Sequence, residues 1–465
     1  MVKHSVSLSA ENVSGYFTRE RFGRPQLFAG LLLLAFLAQA IWLVNAQWRR
    51  QGVEGKNAAE RMGVEESEGT RIAAGWRQWH GHGIAGAPYP DDTHPDAPHP
   101  DDTHPDARHP DAPPSGADSS ESSNIAEGYN GNEGYDAERS PLLPLVSAAP
   151  LLAMPERWWT AESFAYWGWL TRLPFLACGV FLGASLWYVA RRLCGNHGGY
   201  VALALYCFSP AMIQASAVWH TEPEIVAAWG AFGGIFTAIA VAHTLYAPRE
   251  VVLWNWRRIL LLGVALAIAT GSQFSMIVVV PLALAFLLYV APVRRQAALV
   301  IWLAACLAGL ALLFATYFFH PHAFAASMRH AAFWGADWRA FTLARTYHAV
   351  ATLLGRACPA FLPALPLALV TYVLWPRTRY FGNTAPLSVA LLFIVLGMAQ
   401  LHVPDTRVGA GFILAAVPFL FLFACGVLAD LMETRHRPLV TAGVVGLVAA
   451  NAAWSLVALG HIPLG

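Results

Sequence analysis

The sequence contains few charged residues and few cysteines. Only 13% of its 465 residues are Asp, Glu, Lys or Arg, while 56% are hydrophobic, and this balance excludes a soluble globular domain. The six cysteines all fall in or beside apolar segments, so neither a disulfide framework nor a cysteine-based zinc site is expected. The sequence has no basic face interleaved with aromatic residues, and we therefore expect no nucleic-acid partner.

Long apolar segments occur where charge is scarce. A hydrocarbon core of about 30 Å needs about 20 apolar residues per helix, and such runs recur along the whole chain. The period-two alternation of a membrane barrel is missing, so we expect an all-α polytopic membrane protein of about 11 transmembrane helices. The expected spans are 27–46, 169–190, 199–218, 225–246, 259–272, 274–292, 298–317, 357–375, 385–400, 409–429 and 438–460.

Arginines predict the orientation of these spans. Basic residues precede the first span, which indicates a cytoplasmic N-terminus and an uncleaved anchor helix. Alternation from that start brings every short basic cluster to the cytoplasmic side, including Arg191–Arg192 and Arg294–Arg295. The predicted parts are a cytoplasmic segment at 1–25, the first helix at 26–46, an extracytoplasmic loop at 47–158 and a multi-span membrane domain at 159–465.

The extracytoplasmic loop contains a tandem repeat between two motif-bearing ends. Asp91 to Pro110 reads DDTHPDAPHP and then DDTHPDARHP. Pro, Asp and His at this density cannot bury a core, so residues from about 90 to 123 are predicted to be a disordered or polyproline-like insertion. A tract of this composition could alternatively collect divalent metal loosely. We expect the remainder of the loop to carry interfacial helices.

Six short motifs follow one another along the chain. They are Ser67-Glu68…Arg71-Ile72-Ala73-Ala74-Gly75, Glu138-Arg139-Ser140-Pro141-Leu142, Arg172-Leu173-Pro174, Ala190-Arg191-Arg192-Leu193-Cys194-Gly195, Phe208-Ser209-Pro210 and His220-Thr221-Glu222-Pro223-Glu224. Each motif is weakly specific alone. The ordered set, combined with the predicted topology, is more specific.

In order and spacing these motifs resemble the polytopic glycosyltransferases of the C superfamily. That family uses polyprenyl-phosphate sugars and includes protein O-mannosyltransferases and the lipid A aminoarabinose transferase. The resemblance implies transfer of a sugar from a polyprenyl-phosphate donor to a glycan, lipid or protein acceptor. The expected location is the extracytoplasmic face of a bacterial inner (plasma) membrane, with membrane lipid as a further partner and a divalent metal ion as cofactor.

Such a transfer requires a carboxylate that takes a proton from the acceptor hydroxyl, and positive charge at the departing phosphate. The resemblance implies that Glu68, or Glu66 by a small shift of register, is the base, since Ser67 stands where the family has Asp. The alternative is that these glutamates form an acidic first turn that complements the dipole of the following helix.

The resemblance also implies metal and phosphate ligands. Glu138 is the expected metal ligand, and one of two histidines beyond the seventh span, His320 or His322, is expected to join it. The expected substrate contacts are Arg139, Arg329, Glu222 and Gln273, the last standing where relatives often carry Lys. The alternative for Glu138, Arg139 and the two histidines is an ordinary interfacial side chain, and for Arg329 a solvated one.

Two other classes of function fit parts of the sequence. A relative that has lost catalysis and serves as a membrane partner or lipid-binding subunit would explain Ser67 and Gln273. A transporter would need ionisable residues within its spans and a symmetric pair of broken helices. The spans carry almost no such residues, and only one break is indicated, near Gly271.

Overall fold

The chain folds into α-helices joined by short 3-10 turns. The structure, a computed structural model, describes residues 24–53, 72, 75–76, 78–80, 142–154, 164–217, 224–246, 256–330, 336–401 and 408–460, and no strand occurs among them. The α-helices are α1 (Arg24–Val53), α2 (Leu142–Ala148), α3 (Phe164–Cys207), α4 (Pro210–Ala217), α5 (Glu224–Thr244), α6 (Trp256–Ser272), α7 (Val279–Val290), α8 (Arg295–Ala315), α9 (Pro321–His330), α10 (Ala344–Ala357), α11 (Phe361–Leu374), α12 (Phe381–Gln400), α13 (Val408–Met432) and α14 (Arg437–Gly460).

Seven of the described helices are long and apolar enough to cross a membrane alone. An eighth crossing is possible if α10 and α11, which meet at an angle of 109°, form one broken span. The fold class predicted from the sequence, an all-α polytopic membrane protein, is confirmed. The count differs from the predicted one because some predicted spans form short helices. The 17 residues of α6 extend only about 26 Å, less than a hydrocarbon core of about 30 Å.

Breaks in the helices fall at glycine and proline. The predicted spans 169–190 and 199–218 lie mostly within α3, which turns sharply at Gly195, where φ is +74° and ψ is −175°. That left-handed conformation is readily adopted by glycine and disfavoured for other residues. The second span ends in α4, which begins at Pro210 after the break at Phe208–Ser209.

The described helices group into two compact units that alternate along the chain. The first unit comprises Met1–Val53, Phe175–Ala240 and Gly335–Gly465. In this unit α12 and α13 pack closely where Gly397 meets Gly409, since a Cβ on either glycine would lie within 2.9 Å of the other's carbonyl oxygen. Asn451 bonds to two breaks between helices. Its Oδ1 accepts from the Ala360 N–H at 3.0 Å and from the Cys358 thiol at 3.4 Å, both between α10 and α11, and its Nδ2 donates to the Phe208 carbonyl, between α3 and α4, at 3.0 Å.

The second unit comprises Glu54–Pro174 and Val241–Trp334, and its described residues include both ends of the long polar loop. Helices α6 and α8 pack through Gly263 and Gly309, because a Cβ on Gly263 would lie 2.7 Å from the Ala305 carbonyl oxygen. The Trp302 indole N–H donates to the Val280 carbonyl at 3.0 Å and fixes the neighbouring α7.

Candidate functional site

The predicted site residues are only partly covered by the structure. Gln273, His320 and His322 are described, and Arg329 lies in α9, where its backbone alone is described. The other predicted residues lie outside the described residues, namely Glu66, Glu68, Glu138, Arg139 and Glu222. The geometry of the site is therefore built from the helices that follow these residues in the chain.

The two ends of the long loop are in direct contact within the second unit. Gly75 closes the first motif, and a Cβ at this position would lie 2.0 Å from the Pro144 carbonyl oxygen and 3.0 Å from the Ala148 Cβ. Pro144 and Ala148 belong to α2, which directly follows the second motif. The Trp79 indole N–H donates to the Leu145 carbonyl oxygen at 3.0 Å. The missing glycine side chain thus allows the backbone of Gly75 to touch that of α2.

A small apolar cluster fixes this pair of helices. Trp76, Leu151 and Met154 are buried together. Ile72, from the first motif, packs against them, as do Leu152 and Leu170. Burial of this apolar surface stabilises the two segments, although the sequence around them is polar. The gain is roughly 25 cal/mol per Å² of apolar surface removed from water.

The end of α6 meets the start of α2. A Cβ on Gly271 would lie 3.1 Å from the Leu142 Cδ2, so this glycine also permits a close approach. Gln273, two residues later, precedes the 3-10 turn at Phe274–Val278. Its side-chain amide donates to the Ser275 hydroxyl oxygen at 2.6 Å. Gln273 therefore lies at the same border as the second motif, and its amide is engaged by a neighbouring residue.

The turn after α8 carries a strained backbone. Phe318 and Phe319 both have positive φ, at 49° and 61°, and bulky residues seldom adopt this conformation unless the surroundings enforce it. The Phe318 ring meets the Trp79 ring edge to face, with centroids 5.4 Å apart. This contact brings the turn that precedes His320 against the helix that follows the first motif.

His320 and His322 differ in their surroundings. The His320 Nδ1 lies 3.1 Å from the Tyr317 carbonyl oxygen. Since a carbonyl oxygen can only accept, the Nδ1 of His320 carries a proton in this contact. His322 is exposed in the first turn of α9. Of the two, His320 has the more defined orientation.

Tyr317 is buried beside this turn. Burial raises the pKa of its phenol to about 12. The phenol is therefore protonated at neutral pH, and Tyr317 is suited to hold the turn rather than to exchange protons with a substrate.

His80 is a feature that the sequence did not point out. Its Nδ1 lies 2.8 Å from the Trp76 carbonyl oxygen. Its Nε2 is buried and has no hydrogen-bond partner among the described residues. The only signal in the sequence is that His80 stands four residues after Trp76, close to the first motif.

The described residues supply part of a metal site. Within them no group of three or more His, Cys, Asp or Glu side chains is arranged to hold an ion. His320 is of a residue type that suits zinc and similar divalent ions. The predicted carboxylate ligand, Glu138, lies outside the described residues. The described histidines are therefore of a type that binds divalent metals. A complete site would also need carboxylates from the loop.

Comparison with known proteins found two similar solved structures. The chain is 16% identical to ArnT from Cupriavidus metallidurans in its apo state, with a TM-score of 0.41, and the match covers 66% of this chain and 52% of that one. It is 14% identical to the oligosaccharyltransferase from Archaeoglobus fulgidus in complex with Zn and sulfate, with a TM-score of 0.39, covering 71% of this chain and 44% of that one. No protein-family description matches the sequence, and no curated protein matches it. The chain spans about half the length of either structure that it matches.

Proposed function

We propose that this protein is a glycosyltransferase that moves a sugar from a polyprenyl-phosphate donor to a glycan, lipid or protein acceptor. The proposal places the reaction at the extracytoplasmic face of a bacterial inner membrane, as the arginine distribution predicts. It rests on the ordered motifs of the sequence and on the packing of the second unit.

The contact of Gly75 with Pro144 is the observation that carries the proposal. It joins the segment that follows Glu68 to α2, which follows Glu138, although Gly75 and Pro144 are 69 positions apart in the chain. Three residues lie between each glutamate and the first described residue after it, Ile72 or Leu142, and these four steps along the chain reach at most about 14 Å. We propose that the base and the metal ligand act together in this region of the second unit.

The proposed reaction is a displacement at the anomeric carbon. The Glu68 carboxylate, or that of Glu66, accepts the proton of the acceptor hydroxyl. At the same time the oxygen of that hydroxyl forms a bond to the anomeric carbon of the sugar. The bond from that carbon to the phosphate oxygen breaks, and polyprenyl phosphate departs with both electrons of the bond. Arg139 and Arg329 stabilise the negative charge on the departing phosphate.

A divalent metal, when bound, would supply further positive charge at the phosphate. The residues proposed to hold it are Glu138 and His320, with His322 as the alternative imidazole. Gln273 and Glu222 are proposed to contact the donor through hydrogen bonds. Gln273 is neutral, so at its position the donor phosphate receives no ionic contact.

The test is the Glu138→Gln variant in purified protein reconstituted in lipid nanodiscs. Loss of a metal ligand should lower the rate of polyprenyl-phosphate release at least about 100-fold, as do other losses of transition-state charge stabilisation. Glu433→Gln is the matched control, because Glu433 forms an exposed ion pair with Arg377 in the other unit. An unchanged rate in Glu138→Gln would remove the metal-ligand role and with it the proposed mechanism.

A second candidate function is a non-catalytic partner that binds the lipid donor. The observation that favours it is Ser67, which stands where the family carries its Asp, because a serine cannot act as a base unaided. Binding of a polyprenyl-phosphate sugar with no release of polyprenyl phosphate would support this candidate over the enzyme.

A further inference from the structure

We propose that His80 is a ligand of the divalent cation and acts together with His320. The inference rests on the proposed function for the identity of the site, and it adds a residue that no motif indicates. Three observations support a ligand role for His80: the tautomer of its ring, the burial of its second ring nitrogen, and the contact of its segment with the turn before His320.

The hydrogen bond to Trp76 fixes the tautomer of His80. The carbonyl oxygen of Trp76 lies 2.8 Å from Nδ1 and can only accept, so the proton is on Nδ1. The lone pair of the neutral ring is then on Nε2. The Trp76 ring, itself only 4% exposed, packs on the imidazole with centroids 3.9 Å apart. The imidazole is therefore held in orientation as well as in tautomer.

The second nitrogen of His80 is where an interaction is missing. An ordinary buried histidine has both ring nitrogens engaged, because an unpaired buried polar atom is unfavourable. The Nε2 of His80 is buried and has no hydrogen-bond partner within the part of the chain that the structure describes. A divalent cation is smaller than a water molecule and bonds directly to such a lone pair.

The Nδ1 of His320, in a neighbouring segment, also faces a backbone carbonyl oxygen. The Tyr317 carbonyl oxygen lies 3.1 Å from this Nδ1, which again carries the proton. Ring nitrogens that ligate metals commonly have the opposite N–H bonded to a backbone carbonyl in this way. The edge-to-face contact of Trp79 with Phe318 places the two segments side by side. His80 and His320 thus have the same tautomer and lie in two segments that are in contact through Trp79 and Phe318.

Zinc binding by the purified full chain tests the proposal without any donor or acceptor. Equilibrium dialysis against Zn²⁺ should show at least a tenfold weaker affinity in His80→Ala than in the wild type, as expected when a ligand is removed. His197→Ala is the control, since His197 is exposed in the first unit, and its affinity should equal that of the wild type. Equal affinity in His80→Ala and the wild type, or no zinc binding by the wild type, would overturn the proposal.

A second measurement does not require the His80 variant to fold. Pulsed electron paramagnetic resonance of the Cu²⁺-loaded protein counts coordinated imidazoles through their remote nitrogens. We expect two in the wild type and one in His320→Ala, and a count of one in the wild type would refute the role of His80. If the count is one while Glu138→Gln abolishes transfer, the ligand assignment fails and the proposed function stands. If the count is two while the wild type transfers no sugar, the ligand assignment stands and the proposed function fails.

Discussion

Gly75→Ala tests whether the contact between the two loop ends holds the site together. The added Cβ would lie 2.0 Å from the Pro144 carbonyl oxygen and 2.5 Å from its carbon, where real Cβ contacts are essentially never under 3.0 Å. The two helices must therefore separate by about 1 Å, because both atoms in conflict are backbone. Overpacking of this kind costs about 1–3 kcal/mol.

Loss of the Trp79–Leu145 hydrogen bond adds to that cost. The bond is 3.0 Å long and depends on the same approach of the two helices, and its net contribution is about 0.5–1.5 kcal/mol. The two costs together are roughly 1.5–4.5 kcal/mol. The contact between Gly75 and α2 should therefore open about ten to a few thousand times more often than in the wild type. The measurement is hydrogen–deuterium exchange of the peptides that contain α2, in protein reconstituted in lipid.

Gly443→Ala is the matched control for this substitution. Gly443 is also a helical glycine, in α14, but a Cβ there would meet no atom within 4 Å. We expect that variant to exchange as the wild type does, or to be stabilised by up to about 1 kcal/mol through helix propensity. If Gly75→Ala and Gly443→Ala show the same exchange in α2, the close contact of the loop ends does not exist and the argument for the site fails.

Three further changes have defined outcomes. Trp79→Phe should lose about 1 kcal/mol of local stability and slow sugar transfer, because it removes the hydrogen bond to Leu145. Trp302→Phe, the control, loses a hydrogen bond of equal length away from the loop ends and should leave the transfer rate unchanged. Equal transfer rates in the two variants would contradict this. Asn451→Leu leaves a buried N–H and a carbonyl unpaired and should cost about 2–6 kcal/mol, visible as a lower midpoint in thermal unfolding. The raised pKa of Tyr317 means that the folded state keeps a proton that the unfolded state loses above about pH 10, so stability should fall from pH 10 to 12. Tyr317→Phe should lessen that fall, and an identical pH profile would show that burial does not act on this phenol.

The sequence predicts the helices well because the hydrocarbon core requires long apolar runs. Each of the eleven expected spans overlaps one or more helices, and the break in α3 follows from Gly195. The number of full crossings is harder to predict. Composition identifies the apolar residues 259–290, but whether they form one span or two short helices depends on the turn at Phe274–Val278.

The site is predictable in its parts and less so in its geometry. Motif order indicates that the two loop ends act together, and the contact of Gly75 with Pro144 agrees with this. The tautomer of His80 and the positive φ of Phe318 could not be predicted, because tertiary packing determines both. The roles of Glu68 and Glu138 remain predictions, since both lie outside the described residues.

The central claim, sugar transfer from a polyprenyl-phosphate donor, is tested most directly by following that donor. Purified protein in lipid nanodiscs would be supplied with a polyprenyl-phosphate sugar carrying tritium in the sugar, with and without a chelator. The account predicts that tritium appears in an acceptor as an equal amount of polyprenyl phosphate is released, and that the chelator stops both. Donor that is bound by the protein but recovered intact, with every acceptor class supplied, would contradict it.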